Sequence, residues 1–332
     1  MPTPRERFHL RAAEHAAALP PEAAIGWLGV HGLHCLAGHP ALPEPLRAAL
    51  ADDVRRVLAT NLYAIARFQE VCAALEGLDV CPLKGICLLD SVYRDHPGER
   101  RLGDLDLLVR PGAVEEALAR LRPLGFAEGA GSAAAAAAGA PERVLGDGRL
   151  VVEIHDRLGI KHGRRSTWED LEPVAGRVHA REVFVLDDET TLVHLVTHFV
   201  KHGPFVELRW AEDALRWAER GVDGARAVAR ARRLGGARSL VAGVRLLRAL
   251  AAPELLPGVP EDLPGVAGAA VRAHERWVWR GLRADPFAGR GHTSPLRRNL
   301  SALLLADRPA DAVAFLAAKR RELASRRDAT VG

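Results

Sequence analysis

The sequence predicts an α/β (α+β) protein in which a mixed sheet near the middle of the chain is flanked by helical regions. Three observations give this fold class. Apolar residues recur at helical spacing through residues 1–79, short strand-like runs with glycine turns follow in residues 80–190, and helical periodicity returns in residues 191–332. These ranges are also the predicted domains: an N-terminal helical region, a central core and a C-terminal helical domain.

The N-terminal region is expected to contain about three helices. Its most regular apolar pattern runs through Leu46, Leu50, Val54, Val57, Leu58, Leu62, Ile65 and Phe68. Two segments, Pro20-Pro21 and His39–Pro45, interrupt the region because proline cannot continue a helix. Gly77 is expected to end the last helix of this region, before the residue pattern changes at residue 80.

The central region begins with a predicted strand, residues 80–83, which leads into the turn Lys84-Gly85 and a short helix through Tyr93. A second strand, residues 104–109, alternates polar and apolar residues before becoming wholly apolar. An amphipathic helix is predicted over residues 114–122. The chain therefore passes from helices into an alternation of strands and helices.

A low-complexity segment and a hairpin complete the predicted core. Residues 129–140 consist of alanine, glycine and one serine, and we expect a mobile loop there. Two apolar runs flank the turn Gly146-Asp147-Gly148, as in a β-hairpin. Amphipathic helices then follow at residues 191–202, 208–220, 226–250, 267–283 and 310–327.

Composition narrows the class of protein. The 332 residues carry a formal charge of +4, with a pI near 9.1, and most of the positive charge is arginine. This mild excess is compatible with phosphate-bearing substrates, but it does not establish nucleic-acid binding. The arginines of residues 226–248 spread around their helix without interleaved aromatic residues, so a solvated surface is expected there and nucleic acid is not expected as a partner.

The expected location is cytoplasmic. No run approaches the roughly 20 apolar residues that a membrane span needs, and the first fifteen residues lack an apolar signal core. The four cysteines are irregularly spaced, and none forms a CxxC pair. Buried free thiols are therefore expected, and neither disulfides nor a cysteine zinc site.

The residues that point to chemistry are Asp104, Asp106 and Glu153. Side chains at positions i and i+2 of a strand share a face, so the two aspartates point the same way and repel each other unless a cation lies between them. Glu153 interrupts a later apolar strand, where a charge is costly unless it is paired or metal-bound. Mg²⁺, or Mn²⁺, is the natural partner of such oxygen ligands. A pair of aspartates alone more often lies on a solvated strand surface. The additional presence of Lys84, Gly85 and Glu153 favours a metal site.

These motifs resemble the polymerase-beta-like nucleotidyltransferase superfamily, and more closely a bacterial branch described as uncharacterised nucleotidyltransferases. The resembling segments are Leu83-Lys84-Gly85, Tyr93, Arg100–Val109 and Val152–His155. The resemblance implies a polymerase-beta-like core over about residues 80–220. It also implies that the carboxylates of Asp104, Asp106 and Glu153 are catalytic and bind the metal ions, with a nucleoside triphosphate (NTP) as co-substrate.

One departure from the wider superfamily affects the nucleotide site. The usual glycine-serine or glycine-glycine turn is replaced by Lys84-Gly85. The serine hydroxyl that would meet the triphosphate is absent, so Lys84, the Gly85 backbone, Arg100 and Arg101 are the candidates for holding phosphate. His155, on the same strand face as Glu153, is expected either to contact substrate or to hold Glu153 in place.

A histidine stripe is the second candidate region. His194, His198 and His202 recur every four residues on one helix face, and Lys201 adjoins them. The pattern lacks the glutamate of an HExxH zinc motif, so packing against a domain interface or contact with the triphosphate is preferred over zinc. His198, Lys201 and His202 are included in the predicted nucleotide site. For Arg209-Trp210 and Asp213, which follow, an interdomain ion pair with a buried indole is the plainer interpretation.

The predicted enzyme transfers a nucleoside monophosphate from an NTP to a hydroxyl or phosphate of a small-molecule or peptide acceptor, releasing pyrophosphate. Two other interpretations remain open. In the first, the chain is a non-catalytic scaffold that kept the fold. In the second, it is a protein that modifies tRNA or other nucleic acid. Mg²⁺-dependent NTP binding separates the first from an enzyme, and salt-dependent binding to tRNA identifies the second.

Overall fold

The structure is a computed structural model. It describes residues 1–129, 142–159, 165–202, 207–278, 287, 295–308, 310, 312–313, 316–317 and 320. Most of the predicted loop at residues 129–140 and most of the predicted helix at 310–327 lie outside these residues. Within them the protein is a mixed α/β structure, as the sequence predicts.

Three α-helices form the N-terminal region, which confirms the predicted number. They are α1 (Pro4–Ala17), α2 (Pro21–His31) and α3 (Glu44–Ala74), with a 3-10 turn at His34–Leu36. Thr3 caps α1 through a capping box with Glu6, so two backbone N–H groups that would otherwise lack partners are satisfied. Proline starts each of the three helices at its first turn, where no N–H donor is needed.

The sheet has five strands in the order β1-β2-β5-β4-β3. The strands are β1 (Val80–Leu83), β2 (Asp104–Val109), β3 (Ala127–Glu128), β4 (Glu142–Gly146) and β5 (Val151–His155). β2 and β5 are parallel, whereas the other pairs are antiparallel, so the sheet is mixed. The predicted hairpin is confirmed as the pair β4–β5.

Among the described residues, two α-helices follow strands of the sheet. α4 (Gly85–Leu89) follows β1, and α5 (Val114–Leu121) follows β2. The prediction that the first of these helices extends through Tyr93 is wrong. α4 stops at Leu89 because the chain tightens into turns, in which the N–H of Tyr93 donates to the carbonyl of Leu88.

The sequence did not indicate the hairpin that packs beside β1. It consists of β8 (Val174–Val178) and β9 (Arg181–Val185), and β9 lies against β1. Its turn holds His179 and Ala180 at positive φ, a conformation that favours glycine, so the usual turn signal is missing. The short elements β6 (Leu158–Gly159), β7 (Arg165–Ser166) and α6 (Trp168–Leu171) precede it.

The C-terminal region is helical, as predicted. Its described helices are α7 (Asp188–His202), α8 (Arg209–Ala218), α9 (Gly224–Leu234), α10 (Ala237–Leu250), α11 (Gly265–Val278) and α12 (Pro295–Leu304). Gly235, with a φ of 74°, ends α9 and divides the range expected as one amphipathic segment. The expected solvated surface is wrong for Arg230, which is buried and donates to the Thr190 hydroxyl.

One hydrophobic cluster runs through the molecule. It includes Phe8 of α1, Phe68 of α3, Leu107 of β2 and Val196 of α7, and all four are less than 2 % exposed. The N-terminal helices, the sheet and the C-terminal helices therefore contribute to one core. In the part of the chain that the structure describes, no helix is both long and apolar enough to cross a bilayer.

Candidate active site

The three carboxylates lie on neighbouring parallel strands. Asp106 of β2 is directly opposite Glu153 of β5, and Asp104 comes two residues before Asp106 on the same face. Asp106 is 1 % exposed, whereas Asp104 and Glu153 are half-buried. The apolar Leu105 and Leu107 alternate with the aspartates and are fully buried, so the strand holds the acids at a fixed spacing. The structure therefore brings together the three acids that the sequence singled out.

Lys84 is the cation next to these acids. Its Nζ donates to Oδ1 of Asp106 at 2.6 Å. Its backbone has a φ of 48° and a ψ of −119°, a conformation that glycine adopts most easily and that costs other residues about 1–3 kcal/mol. Lys84 thus adopts a glycine-like backbone while placing an ammonium group on a buried carboxylate.

His155 contacts two of the acids. Its Nε2 is 3.0 Å from Oδ1 of Asp106 and 3.5 Å from Oε2 of Glu153. Burial alone would lower the pKa of His155, but its hydrogen bonds to Asp106 and Glu153 raise the pKa to about 9. At neutral pH the imidazole is therefore protonated and donates to the carboxylates. Of the two roles expected for His155, this geometry favours holding the acids in place.

The two aspartates have opposite electrostatic environments. Burial raises the pKa of Asp104 to about 6, and the charge of Asp106 adds to this effect. Burial would also raise the pKa of Asp106, but Lys84 and His155 outweigh it and hold that pKa well below its usual range. Lys84 and His155 both pair with Asp106. Asp104 is therefore the carboxylate that an additional positive charge would stabilise most.

The donor set suits a divalent cation. Ligand atoms of Asp106, Glu153 and His155 all lie within 4.8 Å of one another. The carboxylates of Asp106 and Glu153, with that of Asp104 on the same strand face, are the oxygen groups that could hold the ion, and His155 is the nitrogen ligand beside them. Oxygen ligands of this kind fit Mg²⁺ or Mn²⁺. Burial, followed by the charge of Asp106, raises the pKa of Asp104, and a bound cation would oppose this shift because it favours the ionised carboxylate.

Gly85 is packed closely against two neighbouring side chains. A Cβ atom there would come too close to Cδ1 of Leu102 and Nη1 of Arg100, so at least one of these two side chains would have to shift. A serine at position 85 would therefore require the side chain of Leu102 or Arg100 to move.

Arg100 is buried in an ion pair with Asp213. Its Nε and Nη2 lie 2.9 and 3.0 Å from the two oxygens of Asp213, and the hydroxyl of Tyr93 donates to the same carboxylate at 2.9 Å. Arg100 is only 6 % exposed. This placement favours a positioning role beside Gly85 over the direct phosphate contact that the sequence suggested. The ion pair expected for Asp213 is present, and its partner is 113 residues away.

Asn61 is a site-supporting residue that the sequence reasoning missed. It is fully buried in α3, and its amide donates to the carbonyls of Pro97 and Arg100 at 2.5 and 2.7 Å. Its Oδ1 accepts from the N–H of Leu102 at 3.1 Å. Asn61 thereby fixes the loop before β2. The available signal was a polar residue on the apolar stripe of a long helix.

Comparison with known proteins places the chain in a family. Residues 23–252, more than half of the chain, match the model of a family described as uncharacterised nucleotidyltransferase. The chain belongs to this nucleotidyltransferase family. None of the curated proteins and none of the solved structures matches the chain. Membership confirms the resemblance that the sequence motifs gave, and it supports a nucleotidyltransferase activity.

In this nucleotidyltransferase the α7 stripe lies beside the carboxylates. Burial lowers the pKa of His194 to about 3, and the charge of Lys84 acts in the same direction. Burial, followed by the charge of Lys84, also lowers the pKa of Lys201, whereas Asp106 and Glu153 oppose this effect. His194 and Lys84 line the same cavity, so α7 lies beside the site. His198 packs edge-on against Trp210, with ring centroids 4.9 Å apart.

Arg101 and His202 are two further predicted nucleotide-binding residues. Arg101 is exposed in the loop before β2, and its carbonyl accepts a hydrogen bond from Arg209 at 2.8 Å. His202 is the last residue of α7, and its side chain lies outside the described part of the structure.

A cavity of about 600 Å³ adjoins Lys84. It lies between β1, α4, the β8–β9 hairpin and the helices α7 and α8, and its walls include Lys84, Cys87, Ser91, Arg177, His194 and Trp217. Small-molecule sites in proteins typically have volumes of about 300–1,000 Å³. The cavity is thus large enough for a small substrate, and it shares Lys84 with the carboxylate site.

Proposed function

We propose that this protein transfers a nucleoside monophosphate from an NTP to a hydroxyl or phosphate on a small-molecule or peptide acceptor, with release of pyrophosphate. The observation that carries the proposal is the register of Asp106 opposite Glu153, with Asp104 on the same face. Three carboxylates from adjacent strands, in a member of a nucleotidyltransferase family, are suited to hold Mg²⁺ or Mn²⁺.

In the proposed reaction the acceptor oxygen forms a bond to the α-phosphorus, and the bond from that phosphorus to the bridging oxygen breaks as pyrophosphate leaves. A bound divalent cation would polarise the phosphate and offset its developing negative charge. Glu153, which is half-buried beside Asp106, accepts the proton of the acceptor hydroxyl. Lys84, on a flexible stem, carries positive charge to the phosphates.

The remaining residues position these groups. Arg100, held by Asp213, packs against Gly85 and keeps the turn after β1 close to Asp104 and Asp106. His155 holds the carboxylates of Asp106 and Glu153 in place. The cavity beside Lys84 is the proposed acceptor pocket, because it includes Lys84, which contacts Asp106, and because α7 and α8 form part of its walls.

The test is incubation of the full chain with each α-labelled NTP, Mg²⁺ or Mn²⁺, and a cell extract. We expect label to be transferred to an extract component by the parent and lost in Asp106→Asn. Asp52→Asn, on the exposed surface of α3, is the matched control and retains the activity. No transfer with any of the four nucleotides, together with retained Mg²⁺-dependent NTP binding, would instead identify a non-catalytic nucleotide-binding protein.

A further inference from the structure

A second cluster of metal-ligating side chains lies away from the carboxylates. It consists of His9 in α1, Cys35 in the 3-10 turn that follows α2, and Glu212 in α8. Their ligand atoms lie within 4.8 Å of one another, and Nε2 of His9 is 2.8 Å from Oε2 of Glu212. Three elements that are distant in sequence thus bring together one nitrogen, one sulfur and one oxygen ligand.

We propose that His9, Cys35 and Glu212 form a binding site for a divalent transition metal of the zinc class. Nitrogen and thiolate ligands select Zn²⁺ over Mg²⁺, whereas the all-oxygen set of Asp104, Asp106 and Glu153 suits Mg²⁺. The two clusters therefore differ in the metal that each prefers. This proposal does not depend on the proposed function.

The spacing of the ligand atoms requires only small adjustments. In a tetrahedral zinc site with one sulfur ligand, ligand atoms are about 3.3–3.7 Å apart. Nε2 of His9 and Oε2 of Glu212, 2.8 Å apart, would have to separate slightly, and the other pairs, within 4.8 Å, would have to close by about 1 Å at most. His9 and Glu212 are 14 % and 3 % exposed, and Cys35 is half-buried, so the site is shielded while the His9 side remains accessible to an entering ion. A fourth position is left for solvent.

The surrounding charges balance such an ion. Oε1 of Glu212 accepts from Nε of Arg216 at 2.6 Å, and Nη2 of Arg216 lies 2.5 Å from Oε2 of Glu99. Arg216 and Glu99 cancel each other, which leaves the charges of Glu212 and a Cys35 thiolate to neutralise a divalent cation. Oε2 of Glu212 can therefore bind the ion while Oε1 keeps its ion pair with Arg216.

The position of the cluster gives the site a structural role. Glu212 precedes Asp213 on α8, and Asp213 holds Arg100 beside Gly85. His9 lies in α1, outside the residues 23–252 that match the family. A metal bound here ties α1 and the turn at Cys35 to the helix that positions Arg100.

Cobalt titration of the full chain tests the proposal. The protein, first treated with a chelator, is titrated with Co²⁺ in excess Mg²⁺, and thiolate-to-cobalt charge transfer is recorded in the near ultraviolet. We expect the band to saturate at one equivalent, to disappear in Cys35→Ser and to persist in Cys72→Ser. Cys72 is the matched control, because it is another half-buried free thiol and lies in α3.

Two further variants complete the test. His9→Gln is expected to weaken Co²⁺ binding by more than about 100-fold, because loss of an outer-shell partner alone costs roughly 10- to 100-fold. Asp106→Asn is expected to keep the band, which separates this site from the proposed catalytic one. A charge-transfer band that survives Cys35→Ser, or no band in the parent, would overturn the proposal and leave a plain ion pair between His9 and Glu212. If Cys35→Ser does not fold, an unchanged cobalt affinity in His9→Gln would overturn it equally.

Discussion

The ammonium group of Lys84 lies 2.6 Å from Oδ1 of Asp106, which is almost fully buried between two neighbouring strands. Burial would lower the pKa of Lys84, but the charge of Asp106 raises it above its usual value, so the pair stays ionised. Lys84 therefore stabilises a carboxylate that would otherwise be costly to bury. A divalent cation at the same acids would compete with this contact.

Replacing Lys84 by methionine is expected to destabilise the protein. Removing one partner of a buried ion pair leaves an uncompensated charge and typically costs about 3–5 kcal/mol. We expect the free energy of unfolding to fall by an amount near the lower end of this range, since the Lys84 side chain is 20 % exposed. Mg²⁺ is expected to restore part of it, because its charge takes the place of the ammonium group. Urea unfolding with and without Mg²⁺ measures the effect.

Lys84→Arg is the control for this variant, since it keeps the positive charge and is expected to retain most of the stability. An unfolding free energy in Lys84→Met equal to that of the parent, in the absence of Mg²⁺, would contradict the stabilising role of the contact.

The pKa of Asp104 makes metal binding dependent on pH. Because burial beside Asp106 raises this pKa to about 6, Asp104 is protonated below that pH and cannot ligate a cation. We expect Mg²⁺ binding to be roughly tenfold weaker at pH 5 than at pH 7. Calorimetric Mg²⁺ titrations over this range measure the dependence. In Asp104→Asn the binding is expected to be weak at both values, and a parent affinity that does not change with pH would refute the assignment.

In the absence of metal, the raised pKa of Asp104 makes the folded protein less stable as the pH rises. A carboxyl group with a raised pKa binds its proton more tightly in the folded chain than in the unfolded chain. Asp104 therefore lowers the stability as pH rises from its unfolded pKa through about 6. Unfolding free energies measured with a chelator at pH 4.5 and 7 should show this contribution. Asp104→Asn is expected to remove it, so a pH dependence identical to that of the parent would argue against it.

Replacing Gly85 by alanine is expected to disturb the turn after β1. The added Cβ would meet Leu102 and Arg100 at distances below 3 Å, so one of them must move. Overpacking of this kind costs about 1–3 kcal/mol of unfolding free energy. We also expect weaker NTP binding, because Arg100 no longer holds the turn. Denaturant unfolding and equilibrium nucleotide binding measure the two effects.

Gly26→Ala provides the matched control. Gly26 lies on the exposed side of α2, and a Cβ there meets no atom within 4 Å. Alanine in a helix is more favourable than glycine by up to about 1 kcal/mol, so this variant should be slightly stabilised. Equal unfolding free energies in both variants would show that the crowding at Gly85 has no consequence.

Replacing Asn61 by leucine is expected to loosen the loop that leads into β2. The change leaves the carbonyls of Pro97 and Arg100 and the N–H of Leu102 without the bonds that Asn61 makes. Each buried polar group left unpaired costs about 1–3 kcal/mol. We expect a lower melting temperature and weaker NTP binding. Thr60→Ala, next to it on the exposed side of α3, should change neither, and a parent-like Asn61→Leu would exclude this role.

The sequence by itself determined the strands of the central unit and the chemistry that they carry. Period-two alternation places Asp104 and Asp106 on one face of a strand without reference to any other element, because side-chain direction in a strand is a local property. The hairpin that carries Glu153 was equally local, since its glycine turn and apolar runs are adjacent in sequence. The resemblance of these segments to a nucleotidyltransferase family is confirmed for residues 23–252.

Only the tertiary structure decided which groups surround the acids. The partners of Arg100 and of His9 lie 113 and 203 residues away, and no local pattern encodes such distances. The β8–β9 hairpin lacked a recognisable turn, and its place beside β1 depends on packing. Burial also set the opposite pKa shifts of Asp104 and Asp106, because the cost of a buried charge depends on neighbours that folding brings together.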